Sequence, residues 1–311
     1  MTKSLLKYSF LISAIAFLIK CSDNKNSNQA KVQIDSTIKT QDSLILIKDT
    51  IPALPLINYI FISPPKQNRY KFLIENYDTI GAKIILALNR LDERFIRKPD
   101  SIVVPDTIIN DKLLYSPFPK HIALLESVKK ILLVDQHIQA FAAYEYGNLV
   151  NWGPTSTGKR STPTPNGLFH TNWKAKETIS TDNEDWILPW YFNLENFRGI
   201  SIHQFELPGY PASHACVRLL EEDAFWIYNW AEQWILTKDG EFIIAYGTPV
   251  IIYGQYDFKG IKPWLLLPTE PEKAMVNEDE LNEIINEHIL TIINRQEERE
   301  KIINPQLSLS N

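Results

Sequence analysis

Short apolar runs alternate with turn residues in the middle of the chain and predict β-strands. The runs lie at residues 131–134 and 138–144, and a turn at 147–148 separates them from a run at 149–150. Runs of this length that are rich in β-branched residues favour strands, and a glycine-containing pair between two runs favours a tight turn. A further run at residues 250–253 predicts a strand that closes the same sheet. The pattern therefore indicates a hairpin-rich β domain.

Apolar residues at helical spacing predict one helix after residue 220. An acidic start at residues 221–223 precedes five apolar positions that share one helical face, namely Ala224, Ile227, Tyr228, Ala231 and Trp234. Acidic side chains in a first turn and a single apolar stripe are typical of a helix that packs on a core.

The same spacing predicts a helix in the tail. Its apolar positions are Leu281, Ile284, Ile285, His288, Ile289, Ile292 and Ile293. Asn277 and Glu280 are expected to cap its start. We expect the apolar face to pack on the protein body rather than on a partner or a membrane.

Residues 51–120 predict a small mixed α+β module. Residues 82–94 have a helical pattern, and residues 100–105 form a short strand pattern that ends in proline. The stretches 85–91 and 99–105 resemble the second half of a LysM glycan-binding repeat, although the first strand of such a repeat is not recognisable. A packing subdomain without a glycan site is the alternative.

The first residues resemble an export signal. Lys3 and Lys7 precede an apolar run at 8–19 that is short for a membrane span, and Cys21 follows it. This spacing resembles a lipoprotein signal in which the cysteine is lipidated, although Lys20 replaces the small residue expected before the cleavage point. An ordinary cleaved signal and an uncleaved anchor are the alternatives. All three place the body outside the cytoplasm, and we expect a periplasmic lipoprotein that contacts the membrane through its lipid anchor only.

Composition limits the function classes. The chain has 311 residues and 44% hydrophobic content, enough for one sizeable core and a smaller module. The net charge of −5 provides no basic field for a phosphate backbone, so we expect no nucleic-acid partner. Residues 22–50 are rich in Asn, Ser, Asp and Lys and predict a flexible tether. The expected division is 1–21 signal peptide, 22–50 linker, 51–120 module, 125–256 catalytic domain and 257–311 extension.

Two residues stand out as candidates for covalent chemistry. The chain contains two cysteines, and if Cys21 carries lipid, Cys216 is the only thiol of the mature domain and no intramolecular disulfide forms. A thiol with an ordinary pKa of about 8.5 needs a base near neutral pH. His203, on a neighbouring predicted strand, is the candidate base. From composition alone, a buried structural thiol is the alternative.

The surroundings of Cys216 resemble a known family. Residues 213–218, Ser-His-Ala-Cys-Val-Arg, resemble the Ser-His-Gly-Cys-x-Arg signature of YkuD-type L,D-transpeptidases. Further stretches similar to that family, in the same order, are residues 156–159, 164–169, 200–203 and 247–253, with Asp223 at the downstream acidic position. The resemblance covers about residues 130–254. It implies a mainly β fold, a sandwich or barrel-like catalytic domain with one helix after the cysteine, here joined to the small α+β module and the C-terminal helix.

The resemblance also implies roles for individual residues. Cys216 is expected to be the nucleophile and His203 the base, with its ring oriented by a backbone carbonyl. The amides of Ala215 and Cys216 are expected to stabilise an oxyanion. His214 is expected to support the site, and a purely structural histidine is the alternative.

Two further residues of the motif have open assignments. Arg218 is expected either to bind a substrate carboxylate in forked geometry or to form a structural ion pair with Asp223. Ser213 is expected either to hydrogen-bond in the site or to shape the turn.

The chain departs from the family signature in two places. Ala215 replaces a glycine, so a positive φ there would be strained by about 1–2 kcal/mol, which leaves open a narrowed oxyanion pocket. The gap between His203 and Ser213 is short for the family. Five aromatic residues surround this region in sequence, and we expect most of them in the core and one or two along the cleft: Trp152, Trp173, Trp186, Trp190 and Tyr191.

The resemblance implies an acyl-transfer activity on peptidoglycan stem peptides. Cys216 would attack the carbonyl of the third stem residue, release a terminal D-alanine and form a thioester, which the amine of a second stem resolves to a 3–3 crosslink. Resolution by water or by a protein amine would instead give an L,D-carboxypeptidase or a protein-to-wall ligase. From another class, a non-catalytic peptidoglycan-binding lipoprotein is the alternative. No metal or organic cofactor is expected, and carbapenems are expected inhibitors.

Overall fold

The structure is a computed structural model, which describes residues 57–180 and 183–304. The predicted signal peptide, Cys21 and the linker over 22–50 lie outside the described residues. The described residues belong to a single compact unit that spans Pro55–Asn311. The boundaries between module, catalytic domain and extension therefore stay a prediction. Among the described helices, none is long and apolar enough to cross a membrane.

The first part of the chain is a small α+β element, as the sequence predicts. Strand β1 (Tyr59–Ile62) pairs antiparallel with strand β2 (Ile102–Pro105). Helix α1 (Arg69–Leu88) lies between them and is interrupted at Asp78, whose φ is 57° and ψ is −175°. The predicted strand at 100–105 is confirmed apart from its first two residues.

The predicted helix at 82–94 is wrong at both ends, because α1 begins thirteen residues earlier and ends at Leu88. Asn89 ends it: the side-chain amide donates to the Val103 carbonyl at 2.7 Å and its oxygen accepts from the Val103 N–H at 2.9 Å. Arg90 follows with a φ of 59°, which a continuing helix does not allow. The contact with β2 is tertiary, so the helical pattern of the sequence does not reveal it.

A nine-stranded sheet forms the body of the protein. Its strands are β3 (Ile131–Asp135), β4 (Ala140–Glu145), β5 (Asn148–Ser156), β6 (Gly167–His170), β7 (Lys174–Ile179), β8 (Ile187–Glu195), β9 (Ile200–Gln204), β10 (Val217–Leu219) and β13 (Pro249–Tyr253). The spatial order is β6-β13-β3-β4-β5-β10-β9-β8-β7, and the edge strand β6 also contacts β8, so the sheet curls. A separate hairpin joins β11 (Ile235–Leu236) to β12 (Ile243–Ala245). The mainly β fold is thus confirmed.

The sheet is buried on both faces. Successive side chains of a strand point to opposite faces, and β3 divides accordingly: Ile131 and Leu133 join one core, while Leu132 and Val134 join the other. Because both faces are covered, β3 is continuously apolar and the sequence run at 131–134 marks it correctly.

Helix α2 (Glu221–Trp230) follows the cysteine and covers the second core. Ala224 and Ile227 are buried there, as the helical spacing predicts. The helix ends before Trp234, because Ala231 adopts an extended conformation with a ψ of 150°. The helix after Cys216 is therefore confirmed, but it is shorter than the apolar pattern.

Helix α3 (Glu278–Ile303) covers the first core. The Asn277 side chain accepts hydrogen bonds from the amides of Asp279 and Glu280, which confirms Asn277 as the cap. Leu281 and Ile292 are almost fully buried against the sheet. Burial of a leucine or isoleucine side chain stabilises the folded state by about 1.5–3 kcal/mol. The prediction that the tail packs on the body is confirmed.

Arg90 joins three parts of the chain from a fully buried position. Its Nε donates to the Ile138 carbonyl at 2.9 Å and its Nη1 to the Ala87 carbonyl at 2.8 Å. The guanidinium lies 5.7 Å from the Trp152 ring centroid and 5.4 Å from that of Trp264. Burial lowers the pKa of Arg90 to about 9, so the group remains a cation at neutral pH. It links α1, the sheet and the segment before α3.

Candidate active site

The strand that carries His203 lies beside the strand that follows Cys216. Strands β9 and β10 pair in parallel, with Arg218 opposite His203 and Val217 opposite Ile202. Side chains alternate along a strand, so Ser201, His203 and Arg218 share one face and Cys216 precedes β10 on that face. The Cys216 Sγ lies 3.1 Å from the Ser201 Oγ and 3.4 Å from the Gly199 carbonyl. The strand pairing thus brings the motif residues to one place.

The side chains of His203, Cys216 and Arg218 open into a narrow cleft. Its lining residues are Ser180, Trp186, Leu188, His203, Phe205, Ser213, His214, Cys216 and Arg218. The predicted catalytic residues therefore share one cavity wall. Phe205 also lines a larger, open groove between α1 and α2, to which Trp190 and Phe225 contribute.

His203 has the orientation of a general base. Its Nδ1 lies 2.9 Å from the Gln204 carbonyl oxygen, and because a carbonyl only accepts, Nδ1 carries the proton and Nε2 keeps its lone pair. The ring is held by a backbone carbonyl, as the resemblance implies. Burial and, to a smaller extent, the Arg218 charge lower the pKa of His203 to about 4, although the hydrogen bond to the Gln204 carbonyl opposes both. The imidazole is therefore uncharged at neutral pH.

The turn before Cys216 has the strained conformation that the sequence analysis considers. Ala215 has a φ of 80°, where a non-glycine residue is disfavoured. Its carbonyl accepts from the Thr164 hydroxyl at 2.9 Å, and the Ser213 hydroxyl donates to the Cys216 carbonyl at 2.6 Å. Ser213 therefore shapes the turn. Among the described residues, no acceptor lies within hydrogen-bonding reach of the Ala215 N–H, which remains available to an oxyanion.

A second loop holds this turn from behind. The Ser213 N–H donates to the Thr157 carbonyl at 3.0 Å, and the Lys159 N–H donates to the Ser213 carbonyl at 3.0 Å. Gly158 lies between them, where a Cβ would come within 2.3 Å of the Thr162 carbonyl oxygen. Only glycine fits there, which gives a physical reason for the Gly-Lys pair in the 156–159 stretch.

Arg218 forms no ion pair within residues 57–180 and 183–304. Its guanidinium carbon lies 4.4 Å from the centroid of the Phe205 ring, and the residue as a whole is 9% exposed. Asp223 pairs with Lys112 at 2.7 Å instead, so the alternative of an Arg218–Asp223 ion pair is wrong. Burial lowers the pKa of Arg218, and the negative charge of Glu206 opposes this.

Four contacts of the site were not predicted from the sequence. Ser201 contacts the thiol, and its place two residues before His203 on one strand is a signal that period-two alternation provides. The Tyr191 ring stacks on His203 with centroids 6.3 Å apart. Lys159 and Thr164 lie in the stretches 156–159 and 164–169 that resemble the family, but their contacts with the motif form only through the folded loop and were not predicted.

The expectation that most of the five aromatic residues lie in the core is wrong, because Trp152 and Tyr191 are buried whereas Trp173, Trp186 and Trp190 are partly exposed. Trp152 is fully buried in the core and Trp186 lines the cleft, whereas Trp190 lines the outer groove. Trp173 lies against Tyr191, with centroids 4.9 Å apart. In the described ranges, no group of three or more His, Cys, Asp or Glu side chains is placed to hold a metal ion.

A thiol and an uncharged imidazole thus share one cleft, and these are groups that acyl transfer can use. Residues 129–252 match the model of the YkuD family, described as an L,D-transpeptidase catalytic domain. The resemblance that the sequence motifs predict is thus confirmed over these residues. The LysM-like stretch upstream stays a prediction. No curated protein sequence matches the chain.

Solved structures of L,D-transpeptidases are similar over part of the chain. That from Mycobacterium smegmatis is 18% identical, with a TM-score of 0.32, over 40% of this chain and 59% of that one. That from Stackebrandtia nassauensis is 22% identical, with a TM-score of 0.33, over 41% and 57%. That from Mycobacterium tuberculosis H37Rv is 22% identical, with a TM-score of 0.32, over 40% and 58%. The chain spans less than two thirds of the length of these structures.

Proposed function

We propose that the protein is an L,D-transpeptidase that forms 3–3 peptidoglycan crosslinks through a thioester on Cys216. The observation that carries this proposal is the shared cleft of Cys216 and His203, in which the imidazole is uncharged and keeps its Nε2 lone pair. An uncharged base beside a thiol is the arrangement that nucleophilic acyl transfer requires.

The proposed acylation begins with transfer of the Cys216 proton to His203 Nε2. The thiolate attacks the carbonyl carbon of the third stem residue, and the Ala215 N–H donates to the oxyanion that forms. Collapse of this intermediate breaks the peptide bond. His203 gives its proton to the departing D-alanine amine, and because burial makes its imidazolium a strong acid, this transfer is favourable.

The second half-reaction resolves the thioester with an amine. The side-chain amine of a diamino acid on a second stem attacks the acyl carbon and gives its proton to His203. The C–S bond then breaks as the new amide forms, and His203 returns the proton to the departing thiolate, which regenerates the thiol. Water or a protein amine in place of the second stem would yield a carboxypeptidase or a wall ligase.

Arg218 is proposed to bind a carboxylate of the stem peptide. Its guanidinium lines the cleft, and among the described side chains no acid neutralises it by direct contact. A planar, partly desolvated guanidinium binds carboxylates in forked geometry.

The test is intact-mass spectrometry of the purified chain after incubation with a carbapenem and, separately, with a disaccharide tetrapeptide. A carbapenem adduct that is absent from Cys216→Ala, together with a crosslinked dimer from the tetrapeptide, is the expected result. Tripeptide without dimer would assign a carboxypeptidase. If the wild-type chain forms neither adduct nor product, the proposal fails and the binding lipoprotein is favoured. His203→Gln should slow adduct formation by about 10²-fold or more.

We further propose that lipid on Cys21 holds the domain at the periplasmic face of a membrane, with residues 22–50 as the tether. The spacing of Lys3, Lys7 and the apolar run before Cys21 supports this. Cys21→Ser should move the protein from the membrane fraction to the soluble periplasmic fraction, and an unchanged distribution would contradict the anchor.

A further inference from the structure

Lys159 and His214 form a short contact inside the active-site wall. The Lys159 Nζ lies 2.6 Å from the His214 Nε2. A lysine ammonium has three donors and no acceptor, so the imidazole nitrogen that faces it must accept the hydrogen bond. The neutral ring therefore carries its single proton on Nδ1.

The other nitrogen of the same ring has no hydrogen-bond partner among the described residues. The His214 Nδ1 is buried and unsatisfied. Buried polar atoms in native proteins are nearly always paired, so an unpaired donor needs an explanation. His214 lines the cleft together with Cys216, and a ligand in that cleft provides an acceptor.

Backbone hydrogen bonds place Lys159 close to His214. Lys159 donates its N–H to the carbonyl of Ser213, the residue before His214. Gly158 bridges to Ser213 in strand-like pairing on the same side. The loop therefore holds the Lys159 backbone close to His214, within reach of the imidazole for the lysine side chain.

The contact also separates the roles of the two histidines. The His214 Nε2 lone pair is engaged by Lys159, and a second proton on this ring would place two cations in contact. The His203 Nε2, by contrast, keeps its lone pair. His203 is left as the base, and His214 is left as a donor.

We infer that Lys159 is a positioning residue that locks His214 in the Nδ1–H tautomer, so that this N–H donates to an acceptor oxygen of the peptide bound beside Cys216. The inference rests on the proposed function for the identity of the peptide. Carboxylate and amide carbonyl oxygens share this acceptor chemistry, and the terminal carboxylate of a tetrapeptide and its internal carbonyls are the two sources.

The first measurement is nitrogen NMR of the full chain with 15N-labelled histidine, at neutral pH and without ligand. The His214 signals are assigned by their loss in His214→Gln. The expected spectrum shows one protonated Nδ1 and one unprotonated Nε2 for His214. Lys159→Met should lose this fixed tautomer and Lys159→Arg should keep it, because a guanidinium also only donates. Arg160→Met, at the exposed neighbouring position, is the matched control and should leave the spectrum unchanged.

The second measurement is steady-state kinetics on the disaccharide tetrapeptide and on its C-terminal amide. Lys159→Met should raise KM by about tenfold, the loss of one hydrogen bond, and Lys159→Arg should restore most of the affinity. The terminal amide keeps an acceptor oxygen but not the charge, so a KM effect that is larger on the acid than on the amide assigns the terminal carboxylate, and an equal effect on both assigns an internal carbonyl.

The outcomes distinguish this inference from the proposed function. A wild-type His214 that is protonated on Nε2, or on both nitrogens, overturns the tautomer lock whatever the activity. The expected tautomer with unchanged KM in Lys159→Met overturns the donor role. The expected tautomer in a chain that forms no acyl adduct would leave the lock intact and reject the proposed function.

Discussion

The hydroxyl of Thr164 donates a hydrogen bond to the carbonyl of Ala215 at 2.9 Å. The Thr164 hydroxyl oxygen also accepts from the Gly158 N–H at 2.8 Å. The Thr164 side chain therefore joins the loop behind the site to the turn before the nucleophile. The bond holds the Ala215 peptide in its positive-φ conformation and with it the direction of the proposed oxyanion donor.

Thr164→Val should therefore weaken both stability and acylation. The variant keeps the shape of the side chain but leaves a buried N–H and a buried carbonyl without partners, at an expected loss of about 2–3 kcal/mol in the free energy of unfolding. Thr164→Ser keeps the hydroxyl and should lose only about 1 kcal/mol, the value of a buried methyl group. Urea unfolding and carbapenem adduct rates measure both effects. Equal behaviour of the two variants would mean that the bridge is not structurally important.

Ala215→Gly should stabilise the fold modestly. Relief of the backbone strain at a φ of 80° should raise the free energy of unfolding by about 1–2 kcal/mol. The greater conformational freedom of glycine in the unfolded chain should lower it by about 0.5–1 kcal/mol. Ala212→Gly, which has no positive φ to relieve, is the matched control and should destabilise. Thermal unfolding tests the pair.

The same variant tests whether Ala215 impairs the site. Because Thr164 already holds the Ala215 carbonyl in place, we expect the turnover of Ala215→Gly to lie within about threefold of wild type. This change is smaller than the rate effect of a single oxyanion hydrogen bond. A gain of about a hundredfold would instead show that alanine narrows the oxyanion pocket.

The hydrophobic pattern of the sequence predicted the strands and helices whose burial is periodic along the chain. Alternation and apolar runs identified β3, β4 and β13, and helical spacing identified α2 and α3, because burial of one face or both leaves a periodic trace in the sequence. The start of α1 was missed, since the residues around Asp78 interrupt the helical pattern at the point where the chain kinks. Its end was missed because the contact of Asn89 with Val103 lies outside any local window.

The candidate site likewise contains some residues that the sequence predicted and others that it did not. Cys216 and His203 were found from a short motif whose residues are near one another in sequence, and their side-by-side placement follows from two adjacent parallel strands. Lys159, Thr164 and Tyr191 act on the motif through loop packing and sheet register. Those contacts exist only in the folded chain, so a sequence window around Cys216 contains no sign of them.

His170 should contribute to loss of stability in acid. It is buried on β6 and lies 3.2 Å from the Arg295 Nη1, and burial lowers the pKa of its ring to about 3. The unfolded ring has an ordinary pKa of about 6.5, so below this value the unfolded state binds a proton that the native state does not. The free energy of unfolding should fall by about 1.4 kcal/mol per pH unit between these two values.

His170→Gln removes this contribution while its amide oxygen can still accept from Arg295. Urea unfolding at neutral pH and at about pH 4.5 should show a pH dependence that is smaller by about 1.4 kcal/mol per unit in the variant. His121→Gln, at an exposed position, is the control and should match wild type. The His203 ring, with a pKa lowered to about 4, should leave a residual acid dependence in both variants.

Arg90 should determine whether the first part of the chain and the sheet unfold together. It is buried between Trp152 and Trp264 and donates to the Ile138 carbonyl of the sheet as well as to the end of α1. Arg90→Met leaves these carbonyls without donors in the core, and we expect a loss of about 3–5 kcal/mol in the free energy of unfolding. Arg90→Lys keeps the charge and part of the hydrogen bonding and should lose less, while Arg97→Met, at an exposed position, should change stability by less than about 0.5 kcal/mol.

A single urea transition in wild type that becomes two transitions in Arg90→Lys would show that Arg90 joins two units that can each fold alone. A single transition in every variant would show that the module and the catalytic domain form one folding unit.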